Sequence, residues 1–286
     1  MNGMINLLKP PGMSSNGATV FLRKLLGEKR VGHAGTLDPG AAGVLVVLLG
    51  RSARLCEFLM NHSKRYRAEI CFGVRTDTLD SYGTVLERKA CAVSKEELQA
   101  ALPAFLGEIE QIPPDYSAVK IDGRPAYQLA RKGVEVKKKP RKVQIKSVDI
   151  LAQTGENRFL LEVACSKGTY IRTLLEDIAK SLGQIAHTSF LMRTASGGFS
   201  IEDAYTVDEI KELAAAGDFS FVRSPESALG ELPEVRLGKK YEFALQNGQK
   251  ITYESQKGQF RLYCGDKFYG VGVCQNGELR LVTPLY

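Results

Sequence analysis

Apolar and polar positions along the chain predict the strands of at least one sheet. A continuous apolar run at residues 44–49 lies between two glycines, which is typical of a buried strand. Residues 65–72 alternate between polar and apolar side chains, as a half-buried strand does. Further strands are predicted at 143–151 and 159–165, with turn residues between them. A short strand at 5–8 must end at the two prolines that follow it.

Four segments predict helices from apolar spacing and capping residues. Ser14 and Ser15 can cap a helix that carries apolar residues up to Leu26, and Gly27 fits its end. Ser and Glu three positions apart form a capping box at the start of 94–105, although Pro103 should shorten that helix. Residues 171–182 carry the clearest helical spacing. A second capping box opens 206–216.

The composition changes near residue 223, which predicts a domain boundary. Residues 223–232 are rich in Ser, Pro, Gly and Glu and fit a linker. Residues 233–286 contain short strands separated by turn signals such as Asn-Gly, so we expect a small β domain there. The remaining residues, 1–222, form the larger domain. Periodicity alone gives a mixed α and β fold.

Length and composition indicate an ordinary globular protein located in the cytoplasm. The 286 residues suffice for one large domain or two. No apolar run approaches the roughly 20 residues of a membrane helix, and no signal-peptide pattern opens the chain. Six cysteines without a C-x-x-C pair predict reduced, buried thiols. The three histidines are far apart, so we expect no metal site.

Positive charge is concentrated in one segment. The chain carries a formal net charge of +7, and residues 120–146 hold ten Lys and Arg against two acidic residues. The rest of the chain is therefore close to neutral. Such a segment predicts a polyanionic partner, first of all a nucleic acid, with a solvated loop as the alternative.

One carboxylate lies in a segment that predicts a tight, fixed loop. Residues 32–45 contain Asp38 directly before Pro39, which disfavours the helical region for the aspartate. Three glycines at 35, 40 and 43 permit backbone conformations and close approaches that other residues do not. The buried strand that follows would anchor the loop. A functional carboxylate and an ordinary surface turn both fit this pattern.

Two further side chains have both a functional and a structural interpretation. Tyr66 begins the apolar face of its strand, where a tyrosine serves the core more often than catalysis. Arg172 falls in the first turn of its helix, where a cation is poorly placed against the helix dipole, so an external anion is a reasonable partner. The polar loop 75–83 holds two carboxylates, but their spacing does not indicate a metal site.

These segments together resemble a known enzyme family. Residues 32–39, Gly-His-Ala-Gly-Thr-Leu-Asp-Pro, resemble the catalytic motif of the TruB-type tRNA pseudouridine synthases. Other blocks similar to that family follow in the family's order, at 5–12, 64–67, 116–120, 165–173 and 191–194. The resemblance covers residues 3–206, and the tail resembles a PUA domain, a small RNA-binding β barrel.

The resemblance implies a fold, a reaction and a partner. The implied fold class is α+β: a pseudouridine synthase fold with a central mixed, mainly antiparallel sheet flanked by helices, plus a small C-terminal PUA-like β barrel. The implied reaction converts the uridine at position 55 in the T-arm of tRNA to pseudouridine, without cofactor or metal. We expect tRNA as the partner, no membrane, no required protein partner and a monomer.

The resemblance also implies roles for individual residues. Asp38 matches the catalytic aspartate, Arg172 the arginine paired with it, and Tyr66 the tyrosine that stacks on the target base. The expected substrate-binding residues are His33, Tyr66, Tyr170, Leu191 and Lys9. The expected contacts to the RNA backbone are Lys120, Arg124, Arg131, Lys132, Lys137, Lys138, Lys139 and Arg141. Met192 stands where many relatives carry a basic residue, which would weaken one backbone contact.

Three other functions remain open at this point. The catalytic subunit of a guide-RNA pseudouridylating particle shares the same core motifs but usually carries extra basic extensions. A non-catalytic RNA-binding protein or RNA chaperone would use the basic segment and the β tail. A glycosidase normally needs a second carboxylate at a defined distance from the first, and only Asp80 offers one, weakly.

Overall fold

The structure is a computed structural model that describes residues 1–117, 119–121, 123–130, 132–134, 138–253 and 257–286. In chain order, its strands are β1 (Gly3–Lys9), β2 (Val31–His33), β3 (Ala42–Leu49), β4 (Lys64–Phe72), β5 (Val74–Thr76), β6 (Val85–Arg88), β7 (Gly107–Gln111), β8 (Lys120–Ile121), β9 (Arg124–Pro125), β10 (Arg141–Gly155), β11 (Arg158–Cys165), β12 (Ala186–Ser196), β13 (Phe199–Ser200), β14 (Val222–Arg223), β15 (Glu234–Leu237), β16 (Ile251–Thr252), β17 (Gly258–Cys264), β18 (Lys267–Gln275) and β19 (Glu278–Pro284). The α-helices are α1 (Ser15–Leu25), α2 (Cys56–Met60), α3 (Lys95–Ala101), α4 (Ala126–Ala130), α5 (Ile171–Ser181), α6 (Val207–Ala215) and α7 (Glu242–Gln246).

A central sheet organises the larger part of the chain. Its strands follow the order β14-β1-β3-β12-β4-β11-β10-β7, with β2 paired to β3 and β13 paired to β12. Every neighbouring pair in this order is antiparallel except β3 and β12, which run parallel. The prediction of an α+β fold with a central mixed, mainly antiparallel sheet is therefore confirmed.

The burial pattern of the strands agrees with the sequence periodicity. Residues 43–49 of β3 are buried on both faces, as the continuous apolar run predicted. Along β4, alternate residues from Tyr66 to Phe72 are buried in the main core. The hairpin of β10 and β11 covers both strands predicted at 143–151 and 159–165, although β10 begins earlier and ends later than predicted.

The predicted caps define the helices. The Ser14 hydroxyl accepts a hydrogen bond from the Gly17 N–H at the start of α1. Both predicted capping boxes form, at the starts of α3 and α6. Pro103 shortens α3 as expected, since the chain continues as a 3₁₀ helix, Leu102–Phe105. Helix α5 packs its apolar side chains into the main core beneath the sheet.

A second, smaller sheet follows the linker region. It has the order β15-β17-β18-β19-β16 and curls into a half-barrel, in agreement with the predicted C-terminal β domain. Val271 of this sheet and Leu285, which directly follows β19, pack in one apolar cluster with Val44 and Leu48 of β3. Leu229, inside the predicted linker 223–232, is buried in the same cluster. The division at 223–232 stays a prediction.

Candidate active site

The loop that carries Asp38 joins β2 to β3 and is held from several sides. The Ser15 hydroxyl, which is buried, accepts from the Leu37 N–H at 2.8 Å and donates to the Leu37 carbonyl at 2.9 Å. The Ala41 N–H donates to the Asp38 carbonyl at 3.1 Å and so closes a turn around Pro39. Gly43 has a φ of +112°, and a Cβ at this position would lie 2.2 Å from the Arg193 carbonyl oxygen. The loop is therefore fixed, as the sequence predicted.

Arg193 supports this loop from below and was given no role by the sequence. It is 1% exposed, and its guanidinium donates to the carbonyls of Val44 at 2.8 Å, Gly35 at 3.1 Å and Thr36 at 3.4 Å. A buried guanidinium spread over three acceptors fixes their relative positions. The resemblance marked the block at 191–194 but assigned a role there only to Leu191.

Lys9 is also a support for the loop, although it was predicted to bind substrate. Its side chain is fully buried, and its ammonium donates to the carbonyls of Met13 at 2.7 Å, Pro10 at 2.9 Å and Pro39 at 3.3 Å. Three acceptors match the three hydrogens of an ammonium. Burial lowers the pKa of Lys9 to about 8, while nearby Asp38 opposes that shift. The structure therefore corrects the prediction, because no part of this side chain reaches the surface.

Asp38 pairs with Arg172, as the resemblance implied. The Asp38 Oδ2 atom lies 2.9 Å from Arg172 Nε, with the aspartate side chain 34% exposed and the arginine side chain 4% exposed. The other two nitrogens of the guanidinium donate to the carbonyls of Thr78 at 2.6 Å and Tyr116 at 2.8 Å. Each nitrogen of the arginine therefore has an acceptor, while the Asp38 carboxylate remains partly exposed.

Asp80 joins this pair and was anticipated only as a weak second carboxylate. Its Oδ2 atom lies 3.8 Å from Arg172 Nη1. Backbone hydrogen bonds of Leu79 and Ser81 with Thr188 fix the segment around it. One arginine therefore faces two carboxylates. No spacing rule could have found this, because the Asp80 segment reaches Asp38 only through its packing on β12.

The surroundings of Asp38 shift its pKa upward. Burial is the main cause, since it disfavours the ionised carboxylate, and the negative charge of Asp80 adds to the effect. Arg172 opposes the shift through its charge and its hydrogen bond. The arginine therefore offsets part of the cost of burial and aims the carboxylate, which keeps Asp38 available as a nucleophile or base.

A cleft of 830 Å³ opens beside Asp38 and brings most of the predicted substrate-binding side chains together. It is lined by Asp38, Tyr66, Tyr170, Arg172 and Leu191, among others. Tyr66 is 9% exposed, belongs to the main core and also lines the cleft, so its predicted stacking on the target base stays a prediction. A smaller cleft of 200 Å³ also reaches Asp38 and Arg172, from the side of Asp80.

His33 is placed apart from the residues that line these clefts. It ends β2, it is half-buried, and its Nδ1 atom is shielded without a hydrogen-bond partner in the described part of the chain. Burial, with a smaller contribution from Arg193, lowers the pKa of its imidazole. A neutral imidazole is therefore favoured near neutral pH. Its predicted role in holding a flipped-out nucleotide stays a prediction.

The predicted backbone contacts in the basic segment divide into four groups. Arg131 and Lys137, and the side chains of Lys120 and Arg124, lie outside the described residues. Lys132 and Lys139 are exposed. The Lys138 ammonium is paired with Asp115 at 2.5 Å and its side chain is only 11% exposed, so an RNA phosphate would have to compete with that carboxylate. Arg141 lies inside the large cleft.

Comparison with known structures defines the class of protein. The chain is similar to one in "Crystal Structure of a Cbf5-Nop10-Gar1 Complex", with a TM-score of 0.73 and 26% identity over 95% of this chain and 78% of that one. A structure of an "H/ACA RNP bound to a substrate RNA containing 2'-deoxyuridine" shares the fold, with a TM-score of 0.74 and 22% identity over 99% and 85% of the chains. The central sheet is thus that of the Cbf5 pseudouridine synthases, which places the fold in the class of RNA pseudouridine synthases.

Family models and relatives identify the branch within that class. Residues 23–171 match the model "TruB family pseudouridylate synthase (N terminal domain)". Residues 172–229 match "tRNA pseudouridylate synthase B C-terminal domain", and 233–281 match "Pseudouridine synthase II TruB, C-terminal". The chain belongs to the TruB family of pseudouridylate synthases.

Two relatives from different bacteria illustrate the likeness, and each is named tRNA pseudouridine synthase B. The protein of Caldanaerobacter subterraneus subsp. tengcongensis is 44% identical over 98% of both chains. That of Symbiobacterium thermophilum is 47% identical over 83% of this chain and 79% of its own. Within the described part of the chain, no helix has the length and apolar character needed to cross a membrane.

Proposed function

We propose that this protein isomerises the uridine at position 55 in the T-arm of tRNA to pseudouridine, acting in the cytoplasm as a monomer without a protein partner. The observation that carries the proposal is the Asp38 carboxylate, held at the mouth of the large cleft by Arg172 at 2.9 Å. The names of the relatives, tRNA pseudouridine synthase B, support tRNA as the substrate. They are 44% and 47% identical, against 26% for the Cbf5 chain, which favours a stand-alone enzyme over a guide-RNA subunit.

The reaction is an isomerisation, so substrate and product contain the same atoms. It requires one carboxylate. The bond between ribose C1′ and uracil N1 breaks, the base turns within the cleft, and C1′ bonds to C5. N1 gains a proton, and C5 loses its own. Asp38 can attack C1′, attack C6 of the ring, or remove a ribose proton to give a glycal-like intermediate. Each route begins with ionised Asp38, which Arg172 favours against the effect of burial.

Access to the target base requires base flipping. A base within a folded T-loop is stacked, so moving it into the cleft costs a few kcal/mol. Tyr66 lines the cleft beside Asp38 and would recover part of this cost, because stacking on an aromatic ring contributes ~1–3 kcal/mol per base. Tyr170 and Leu191 form further walls of the same cleft.

Affinity for the rest of the tRNA would come from the basic segment and the C-terminal domain. Lys132 and Lys139 are exposed, so their ammonium groups could contact phosphates of the RNA backbone. Each phosphate that they neutralise adds about −0.9, or −0.7 for a single strand, to the slope of log affinity against log salt. The PUA-like half-barrel, which shares an apolar cluster with β3, would extend the RNA-binding surface.

The test is nucleoside analysis of a tRNA transcript incubated with the purified protein alone. We expect about one pseudouridine per tRNA, and none in a transcript whose uridine 55 is replaced by cytidine. Pseudouridine at another position would contradict the assigned site. A requirement for an added guide RNA would contradict the stand-alone enzyme, and tight tRNA binding without product would favour the binding-protein alternative.

A further inference from the structure

The cations that line the large cleft differ in whether they already have an acceptor. Arg172 binds Asp38, and Arg193 binds backbone carbonyls. The remaining cations with acceptors are Lys64, with the carbonyls of Met60 and His62, Lys142, with Glu108 at 2.8 Å, and Lys167, with the Asn61 side chain at 2.5 Å. Among the described cleft residues, Arg141 is the cation left without one.

The guanidinium of Arg141 presents an unused pair of donors. Its Nε and Nη2 atoms are shielded from water and have no hydrogen-bond partner within the described ranges. These two nitrogens form one edge of the planar group, the edge that binds two oxygens of a phosphate or carboxylate at once. Donors without an acceptor cost free energy, so an anion that reaches this edge and supplies both oxygens would be favoured.

Arg141 is also fixed against the pocket wall. Its guanidinium lies over the Tyr170 ring, 4.3 Å from the ring centroid. Arg141 pairs in register with Gln111 of β7. The Gln111 side chain accepts from the Tyr170 N–H at 3.1 Å and donates to the Tyr170 carbonyl at 3.3 Å. The arginine and the tyrosine are therefore held by a common support.

We propose that Arg141 binds, through Nε and Nη2, a phosphate that flanks the target uridine, and that the bound phosphate holds the Tyr170 ring against the flipped base. This assignment rests on the proposed function. An RNA brings a phosphate on each side of the nucleotide whose base enters the cleft, and uracil itself carries no charge. Arg141 lines the same cleft as Asp38 and Tyr66, so a flanking phosphate is the anion that arrives there with the substrate.

The test is a thermodynamic cycle of binding affinities that combines substitution of Arg141 with neutralisation of single RNA phosphates. T-arm stem-loops carry one neutral methylphosphonate linkage, either 5′ or 3′ of the target uridine, and their Kd is measured with wild type and with Arg141→Met. For one of the two linkages we expect wild-type affinity to fall by about 10- to 150-fold, the range of a hydrogen bond to a charged group. Arg141→Met should show the same loss with normal RNA and little further loss with the neutral linkage.

Two further variants control for charge and for folding. Lys142→Met removes the adjacent cation, which is paired with Glu108, and its effect should add to that of the neutral linkage. Arg141→Lys keeps the charge without the two-donor edge, so it should lose less affinity than Arg141→Met. Additive effects of Arg141→Met with both linkages would overturn the proposal, as would an unchanged Kd with a lower kcat.

Turnover measured with the same samples separates this proposal from the proposed function. Product formation by wild type, with additive effects at both linkages, would reject only the role of Arg141. Coupling at one linkage without any product would retain the phosphate contact and reject the isomerase. Absence of T-arm binding by wild type would reject both.

Discussion

Replacement of Arg172 by lysine tests whether the shape of the guanidinium matters beyond its charge. Arg172 donates in three directions, to Asp38 at 2.9 Å and to the carbonyls of Thr78 at 2.6 Å and Tyr116 at 2.8 Å. A lysine ammonium is a single point at the end of a flexible chain and cannot occupy all three donor positions. At least one buried acceptor would lose its partner, and Asp38 would lose its fixed orientation.

The size of the effect follows from the lost contacts. A buried acceptor left without a donor costs ~1–3 kcal/mol, so the free energy of unfolding should fall by about that amount. A hydrogen bond to a charged group contributes ~1.5–3 kcal/mol, which corresponds to a loss of about 10- to 150-fold in kcat/KM if Asp38 is no longer aimed at its target. The loss should appear mainly in kcat, because the RNA contacts outside the cleft are unchanged.

The assay combines single-turnover isomerisation of a T-arm stem-loop with denaturant unfolding of the same preparations. Arg67→Lys is the matched control, since Arg67 is 48% exposed and contacts Glu162 only at 3.5 Å. Exposed ion pairs contribute little, so this variant should retain activity within about twofold. Near-wild-type turnover by folded Arg172→Lys would refute the reasoning, because charge alone would then suffice.

Three further predictions follow from the same geometry. Tyr66→Ala should reduce turnover by about 5- to 150-fold, the equivalent of ~1–3 kcal/mol of lost stacking. Lys139→Ala should reduce turnover less. The opposite order in kinetic assays would assign Tyr66 to the core alone. In a pH–rate profile, kcat/KM should fall as pH drops through the pKa of Asp38, because the ionised form is the active one. Burial raises this pKa above its ordinary value. A fall in kcat/KM whose midpoint lies at or below the pKa of an exposed aspartate, about 3.9, would contradict this prediction. Lys9→Met should lower the free energy of unfolding by ~1–3 kcal/mol per unpartnered carbonyl, while exposed Lys24→Met should leave it within about 0.5 kcal/mol in denaturant titrations.

Local chemistry made much of the fold predictable. The serine cap of α1, the two capping boxes and the alternation along β4 depend on neighbours within a few residues, and the structure contains each of them. The strands at 74–76 and 85–88 were not predicted, because they pair only with each other beside the main sheet and have little apolar pattern. The polar loop predicted at 75–83 overlaps β5, and no element was predicted at 85–88.

The site was predictable only in part, for a physical reason. Pro39 and the neighbouring glycines indicated that Asp38 lies in a fixed loop, but only the resemblance of residues 32–39 to the family motif gave it a catalytic role. Arg193 and Lys9 look like surface cations in a sequence, and only tertiary packing shows that each is buried and bound to carbonyls. Asp80 reaches Arg172 through a segment held by β12, so no local pattern could have paired them.

The most direct test of the central claim measures tritium release from a T-arm RNA labelled at C5 of the target uridine. C5 must lose its hydrogen when it bonds to C1′. Wild type should release one tritium per RNA, while Asp38→Asn should release none and still bind the RNA. Release by Asp38→Asn at a rate close to that of wild type would contradict the assignment of Asp38 as the catalytic carboxylate.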